Sequence, residues 1–549
     1  MQQQATVSQA IARTLHRLGA AHIFGVVGSG NFHVTNELVA LGVGFTAARH
    51  EMGATCMADA YSRATSKVSL VTVHQGCGLT NALTGIGEAA KARTPIVVIS
   101  GDTPPTQKNS NFWIEQDDAV RSVGAVAERI HSAASAVADA ARAFSTALLH
   151  RRTVVLSMPI DLQKELIDFD EDMIPALVEH TVPAASEEAI AKLASFLRAA
   201  ERPVFVGGRG AWGAISPIRE LAEASSALLT TSAAGRGLFV EDPWHMDVMG
   251  GFATEGATEL IKDADLVVSF GAALNRWTTR SGSLLRGAKI VHVDDTPQAI
   301  GFHHRTDLGV IGDSAQVAAA TLEKLREAPR TGGYRNDEVA KRLTESRHWS
   351  EQSFEDRGGE GKIDPRALTN ALDQMLPMER VVVPDGGNFN AYPAMLFKVP
   401  DHLGYCVPLA FQSIGLSLAS GIGAGVALQD RMPVVGVGDG GFMMSLVELD
   451  TAVRLGLGMV VVVYNDSAYG AEVHHFEHET TDLDIVKFPE TDIAAIARGF
   501  GCEGITVRSV EDLAPVNDWL AGPRNKPLVI DAKIAKFASW VLAHSFDGE

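Results

Sequence analysis

Cysteine is scarce in this sequence. Cys56, Cys77, Cys406 and Cys502 are the only four in 549 residues, and they stand far apart with no CxxC or Cys/His spacing. That excludes a disulfide framework and a cysteine-based zinc site. Buried free thiols are the expectation, with Cys77 set apart because it lies in a Gly-rich turn. Basic charge is short as well: 47 Lys and Arg against 66 Asp and Glu leave a net charge of −19, with no local basic patch. Nucleic acid and anionic membrane are therefore not expected partners. No apolar run reaches the roughly 18 residues of a membrane span, and the stretch 415–428 is both short and glycine-rich. The opening MQQQATVSQA has no basic segment followed by an apolar one, which reads as a cytoplasmic protein.

What is present is the alternation of short β-branched runs with helix-like segments, the pattern of parallel sheets covered by helices. The length calls for several compact units, and three blocks separate with no short repeat. The first has strand candidates at 22–27, 68–74, 95–100 and 153–157; the second at 203–207, 228–232, 266–271 and 289–294; the third at 380–383, 433–437, 459–464 and 527–531. An acidic linker with two prolines, 168–188, divides the first from the second, and a polar stretch with a TGG turn, 327–362, divides the second from the third. The expected fold class is α/β, three doubly wound parallel-sheet domains over 1–170, 188–328 and 360–537.

The third block carries PVVGVGDGGFMMSLVELDTAVRLGLGMVVVVYNDSAYG, residues 433–470, which reads strand, Gly-rich turn, amphipathic helix, strand, turn. Leu446, Leu449, Val453 and Leu457 keep helical spacing, and the Val runs suit strands buried on both faces. In such a unit ligands sit at the strand ends. Gly436, Gly438 and Gly441 satisfy the GxGxxG of dinucleotide folds, which leaves an NAD-dependent dehydrogenase open, but Gly208, Gly210 and Gly213 satisfy it too, so the motif discriminates poorly. Asp439 separates the readings. A carboxylate in this turn repels a bare pyrophosphate, whereas Mg²⁺ prefers one or two carboxylates plus phosphate oxygens. Asp466, 27 positions on at the end of the next strand, can share that metal.

At this point the sequence resembles the thiamine-diphosphate-dependent enzymes of acetolactate synthase, benzoylformate decarboxylase and pyruvate decarboxylase type, whose motif runs from GDG through a helix and strand to NN. Here GDG is Gly438, Asp439 and Gly440, and NN is matched by Asn465 and Asp466, the Asp replacing the usual Asn. The resemblance implies Asp439, Asp466 and the Ala468 carbonyl as Mg²⁺ ligands, with Gly438, Gly440, Gly441, Tyr469 and Gly470 around the diphosphate. TAARHEMGATCMADAYSRAT, 46–65, resembles the family segment RHExGAxxxAxxYAR and implies that Glu51 meets N1′ of the cofactor's aminopyrimidine, making the 4′ nitrogen basic enough to deprotonate C2. SIGLSLASGIGAG, 413–425, resembles the segment that places an apolar wedge under the thiazolium, here Ile414 next to Ser413. FGVVGSG, 24–30, and VTVHQGCGLTNALTG, 71–85, resemble the family's FGxPG and GPGxxN loops. They imply Asn81 at the cofactor and Ser29, His74, Gln75 and, from EQDDAVRS, Gln116 on the substrate side.

Several features bear on the reaction. His74 resembles benzoylformate decarboxylase at this position, and Glu472 in YGAEVHHF falls where pyruvate decarboxylases have a catalytic Glu. With His474 and His475 these supply proton donors on both sides of the cofactor. The implied chemistry is decarboxylation of a 2-oxo acid to an enamine, then protonation to an aldehyde or carboligation. Acetolactate-synthase-like carboligation, or cleavage of a 2-hydroxyacyl-CoA, hydroxyketone or diketone, stays open. So does a non-catalytic cofactor-binding protein, although Glu51 and Asp439 are both retained. In FGAALNRWTTRSG, 270–282, Ala273 stands where FAD-binding members carry Arg, which argues against FAD. Arg276 and Trp277 are candidates for substrate, nucleotide or domain-seam contacts. Family architecture implies a homodimer or homotetramer with active sites between subunits.

Overall fold

Three runs of valine and isoleucine, too apolar for any strand with one wet face, become the centres of three parallel sheets. The structure, a computed structural model, describes residues 3–179, 181–328 and 332–545. In the N-terminal sheet the strands lie in the order Gly44–Ala47, His22–Gly25, Ser69–Val73, Ile96–Asp102, Thr153–Pro159, Val126–Arg129, all parallel. The central sheet runs His245–Val248, Leu228–Thr231, Pro203–Gly207, Leu266–Phe270, Lys289–Asp294, Leu308–Ile311, and the C-terminal sheet Arg380–Pro384, Met432–Gly438, Val460–Asn465, Leu528–Lys533, Glu503–Val507. Helices cover both faces of each sheet, so the expected α/β class with three doubly wound domains is the observed one. A two-stranded antiparallel pair, Gln3–Thr6 with Leu166–Phe169, lies where the first linker was expected to begin.

The second linker also differs from expectation. It contains the helix Asp337–Ser346, whose buried Val339 and Leu343 join the core of the central domain, while Tyr334 donates its hydroxyl to the Leu260 carbonyl at 2.7 Å. Dense charge masked an amphipathic stripe there. The TGG turn of that segment begins at Thr331, which lies outside the described residues, as does His180 of the first linker.

What positions the site is the seam between the outer domains. Helix Glu51–Thr65 of the N-terminal domain packs along helix Ser417–Ala427 of the C-terminal domain, and Ala54, Ala58 and Ala60 share one apolar cluster with Ala419, Ile422 and Ala424. Small side chains let the two backbones approach. Polar bonds lock the seam: buried Arg63 binds Asp59 and Glu88 and donates to the Val407 carbonyl at 2.8 Å, while Glu88 accepts from the Ala410 and Phe411 N–H groups at 3.0 and 2.7 Å. Glu448, also buried, accepts from the Arg49 and His50 N–H groups at 3.2 and 2.9 Å.

Candidate functional site

Two half-sites emerge, one on each outer domain. In the C-terminal domain the strands Met432–Gly438 and Val460–Asn465 lie side by side, so Asp439 and Asp466 come out at adjacent strand ends. Asp439 opens the helix Asp439–Ser445, and the amphipathic segment continues through Leu446–Glu448 to Leu449–Arg454. Both carboxylates are buried, and among the described residues neither pairs with a Lys or Arg. Burial, then the charge of Asp466, pushes Asp439 up to about 7; burial likewise raises Asp466, with Lys536 and His474 acting in the opposite sense.

The turn beyond Asp466 is held by Asn465, which accepts from the Ser467 N–H and donates to Asp531 at 2.9 Å. Ala468 donates its N–H to Asp466 at 3.1 Å. Gly470 has no room for a side chain, because a Cβ there would run into Asp466 Oδ2. Tyr469 packs edge-on against Phe488. Helix Gly470–Phe476 then carries Glu472 and His475 exposed, and His474 reaches Glu477 at 3.4 Å.

The donor set tests the expectation of a metal. Two buried carboxylates at adjacent strand ends, with no Lys or Arg in ion-pair contact among the described residues, form a donor pair that a divalent ion would fit. No cluster of three or more His, Cys, Asp or Glu side chains of metal-binding kind occurs among the described residues. An ion here would therefore complete its shell from backbone and ligand oxygens, as a diphosphate supplies.

In the N-terminal domain, His50 caps the helix Glu51–Thr65 by accepting the Met52 N–H at 3.1 Å, which puts Glu51 in the first turn. Asn81 donates to Glu51 Oε2 at 3.1 Å. Glu51 is half-buried and Asn81 exposed in the single chain, so this glutamate stays partly open to solvent. His74 hydrogen-bonds the Gln75 carbonyl at 3.1 Å, stacks near Phe112 and meets exposed Ser29 at 3.4 Å. Gln116 and Gln75 are buried rather than exposed on their loops. Gln116 is 2% exposed and accepts the Gly76 N–H while donating to the Gly101 carbonyl and Ser157, and Gln75 is buried against Gly30 and Gly101. Both support the loop from beneath. Cys77 is the exposed one of the four thiols; Cys56, Cys406 and Cys502 are buried as expected.

Ile414 is half-buried, belongs to no apolar core cluster, and lies over Gly386. Ser413 beside it bonds the Ile414 carbonyl at 3.2 Å. Sequence reasoning missed Asp385, fully buried at the end of strand Arg380–Pro384, where burial pushes its carboxyl up to about 7 against backbone donors that pull it down. It also missed Asn388, which donates to the Phe537 carbonyl and accepts the Ser539 N–H, tying the C-terminal segment to this domain. A signal existed: Asp385, Gly386 and Gly387 repeat, at the next strand end, the Asp-Gly-Gly of Asp439, Gly440 and Gly441. In the central domain Gly208 and Gly210 close directly onto Gly271, so that GxGxxG serves backbone packing. Arg276 lies over the Trp277 ring in the short helix Arg276–Thr279.

Among the described residues no hydrogen bond or ion pair joins Glu51, His74 or Asn81 to Asp439 or Asp466. Exposed Met443, Met444 and Val447 line the segment that follows Asp439. Among the described residues no helix is long and apolar enough to cross a membrane.

Comparison with known proteins matches three family models in order along the chain: the thiamine pyrophosphate enzyme N-terminal TPP-binding domain at residues 5–122, the central domain at 190–325 and the C-terminal TPP-binding domain at 385–532. A sulfoacetaldehyde acetyltransferase of Roseovarius nubinhibens is 28% identical, over 93% of this chain and 89% of that protein. An acetolactate synthase large subunit of Parasynechococcus marenigrum is 27% identical over 91% and 83%. A probable 2-ketoarginine decarboxylase of Pseudomonas aeruginosa is 27% identical over 93% and 90%.

Proposed function

Since the chain belongs to the thiamine pyrophosphate enzyme family, carrying its N-terminal, central and C-terminal domains in order, we propose that it cleaves or forms the carbon–carbon bond beside the carbonyl of a 2-oxo acid. The observation that carries this reading is the buried Asp439–Asp466 pair at two adjacent strand ends, with no Lys or Arg in ion-pair contact among the described residues. In the proposed site these carboxylates and the Ala468 carbonyl hold Mg²⁺, and the turns 438–441 and 468–470 receive the diphosphate through backbone N–H groups. When bound, the cofactor supplies the electron sink that cleavage next to a carbonyl requires. Asn81 orients the Glu51 carboxylate, which holds or releases a proton at the aminopyrimidine. Ile414 would supply the apolar side chain against which the cofactor rests. His74, Glu472, His474 and His475 move protons at the substrate.

A second subunit completes the site in this reading. Glu51 lacks the cover its role needs, and the apolar Met443, Met444 and Val447 stand open beside Asp439. A homodimer, or a tetramer of two such dimers, covers both. Transfer to an acceptor carbonyl is the second reading, supported by the acetyltransferase and synthase names among the relatives.

The experiment is incubation of the purified protein with thiamine diphosphate and Mg²⁺ against pyruvate, benzoylformate, phenylpyruvate and branched 2-oxo acids, with and without an aldehyde acceptor. Products and CO₂ are followed by mass spectrometry. Aldehyde without acceptor makes it a decarboxylase; a hydroxyketone or acetohydroxy acid makes it a carboligase. No turnover across the panel by cofactor-loaded protein would overturn the 2-oxo acid proposal.

A further inference from the structure

We infer that Asp385 is a positioning residue for Ile414, its carboxylate fixing the turn 413–416 through backbone N–H groups while it packs close to Gly441. The inference rests on the cofactor reading above.

Asp385 is fully buried, and among the described residues no Lys, Arg or His pairs with it. Its Oδ1 accepts the Gly386 N–H at 2.9 Å and its Oδ2 the Gly415 N–H at 2.7 Å. A buried carboxylate faced by the Gly386, Gly415 and Leu416 N–H groups and the Ser417 hydroxyl, with no cation beside it, is costly, and an apolar residue of similar size would fill the space at lower cost. What the carboxylate does, and an apolar side chain cannot, is accept from two loops at once.

The same Oδ2 closes on a third loop, lying 2.8 Å from the position of a Cβ on Gly441. Gly415 is pinned from the other side: its φ of +82° suits glycine, and a Cβ there would lie 3.0 Å from Met444 Cβ and 3.2 Å from the Gly441 carbonyl oxygen. Ile414 is the residue just before this pinned point, and its Cγ2 lies 3.1 Å from a Cβ built on Gly386. A shift of the Asp385 carboxylate therefore reaches Ile414 through the Gly415 N–H bond, one residue along the chain. The metal carboxylates are held separately, by the Asn465–Asp531 bond and the Asp439 helix. Asp385 thus governs how Ile414 rests against the cofactor more than whether the cofactor is held.

The test is Asp385→Asn, which keeps size but turns an amide donor toward an N–H. Thiamine diphosphate binding in the presence of Mg²⁺, measured by equilibrium dialysis, is expected to stay within about threefold, while exchange of the bound cofactor's C2 proton in D₂O, followed by NMR, slows about a hundredfold. Turnover should fall with KM little changed, and adding Asp385→Asn to Ile414→Ala should slow exchange no further than Ile414→Ala alone. Exchange within about twofold of wild type, or a loss of affinity as large as the loss of rate, overturns the inference. If Asp385→Asn does not fold, Gly415→Ala pushes the same turn from the opposite side and must slow exchange with binding kept; normal exchange there overturns the inference equally. A wild-type protein that neither binds the cofactor nor exchanges C2 would overturn the cofactor reading instead.

Discussion

Asp466 places a full negative charge where the relatives' motif has a neutral amide, and the cost falls on the metal-free protein. Asp466→Asn should therefore raise the thermal midpoint without metal and shrink the further gain on adding Mg²⁺ with thiamine diphosphate, because ligand stabilisation follows the affinity that the second carboxylate adds. Thermal melts with and without the pair of ligands check both signs. Glu51→Gln should lower turnover by about a thousandfold while leaving cofactor affinity nearly unchanged, since the amide keeps the Asn81 contact and loses only the proton. Steady-state kinetics beside a binding titration decide it, and normal rates would remove Glu51 from its proposed role. Where a motif fixes a backbone turn, the sequence locates the residues in the fold, as at Asp439 and Asp466 on adjacent strand ends. Gln75 and Gln116 turned inward, because sequence marks a loop but not which face of it a side chain takes.

At the level of elements, the helix Glu51–Thr65 owes its place to Glu448. Glu448→Ala strands the N–H groups of Arg49 and His50 and the Thr451 hydroxyl, and should cost about 3 kcal/mol. Denaturant melts read the loss, and Glu448→Gln should recover part of it. Gly53→Ala should weaken the same seam, since its Cβ would collide with Glu448 Oε1. The strands tell how far pattern reading reaches. All twelve expected strands exist, and the five further strands of the three parallel sheets, Gly44–Ala47, Val126–Arg129, His245–Val248, Leu308–Ile311 and Glu503–Val507, are all at sheet edges; the antiparallel pair Gln3–Thr6 and Leu166–Phe169 was not expected either. An interior parallel strand is wrapped on both faces and announces itself as a Val/Ile run; an edge strand such as Val126–Arg129, half-exposed throughout, carries no such run. Arg380–Pro384 is an edge that was found, because its three valines are buried.

For the molecule as a whole, acid sensitivity is built into two imidazoles. His245 is fully buried with both ring nitrogens unpartnered, and burial pushes it down to about 4, with Asp247 and Asp242 opposing and His348 and Arg347 reinforcing the shift. His22, bonded to Thr46 at 2.9 Å, is likewise pushed down to about 4 by burial. Between pH 4 and about 6.5 the unfolded chain binds more protons than the folded one, so this stability is complete above pH 6.5 and is lost as pH falls toward 4, about 3 kcal/mol for each group. Thermal midpoints at pH 7.5 and 5 should differ less for His245→Phe than for wild type; equal drops would refute the assignment.

The separation of the two half-sites, with no bond from Glu51 or His74 to Asp439 or Asp466 within one chain, has a genetic corollary. If each catalytic centre is assembled from two chains, a Glu51→Gln chain and an Asp439→Ala chain are inactive for complementary reasons. A mixed dimer then holds one centre carrying both lesions and one carrying neither. Co-expression of the two dead variants should restore activity that neither shows alone, and a chain that built its own centre would show no such rescue.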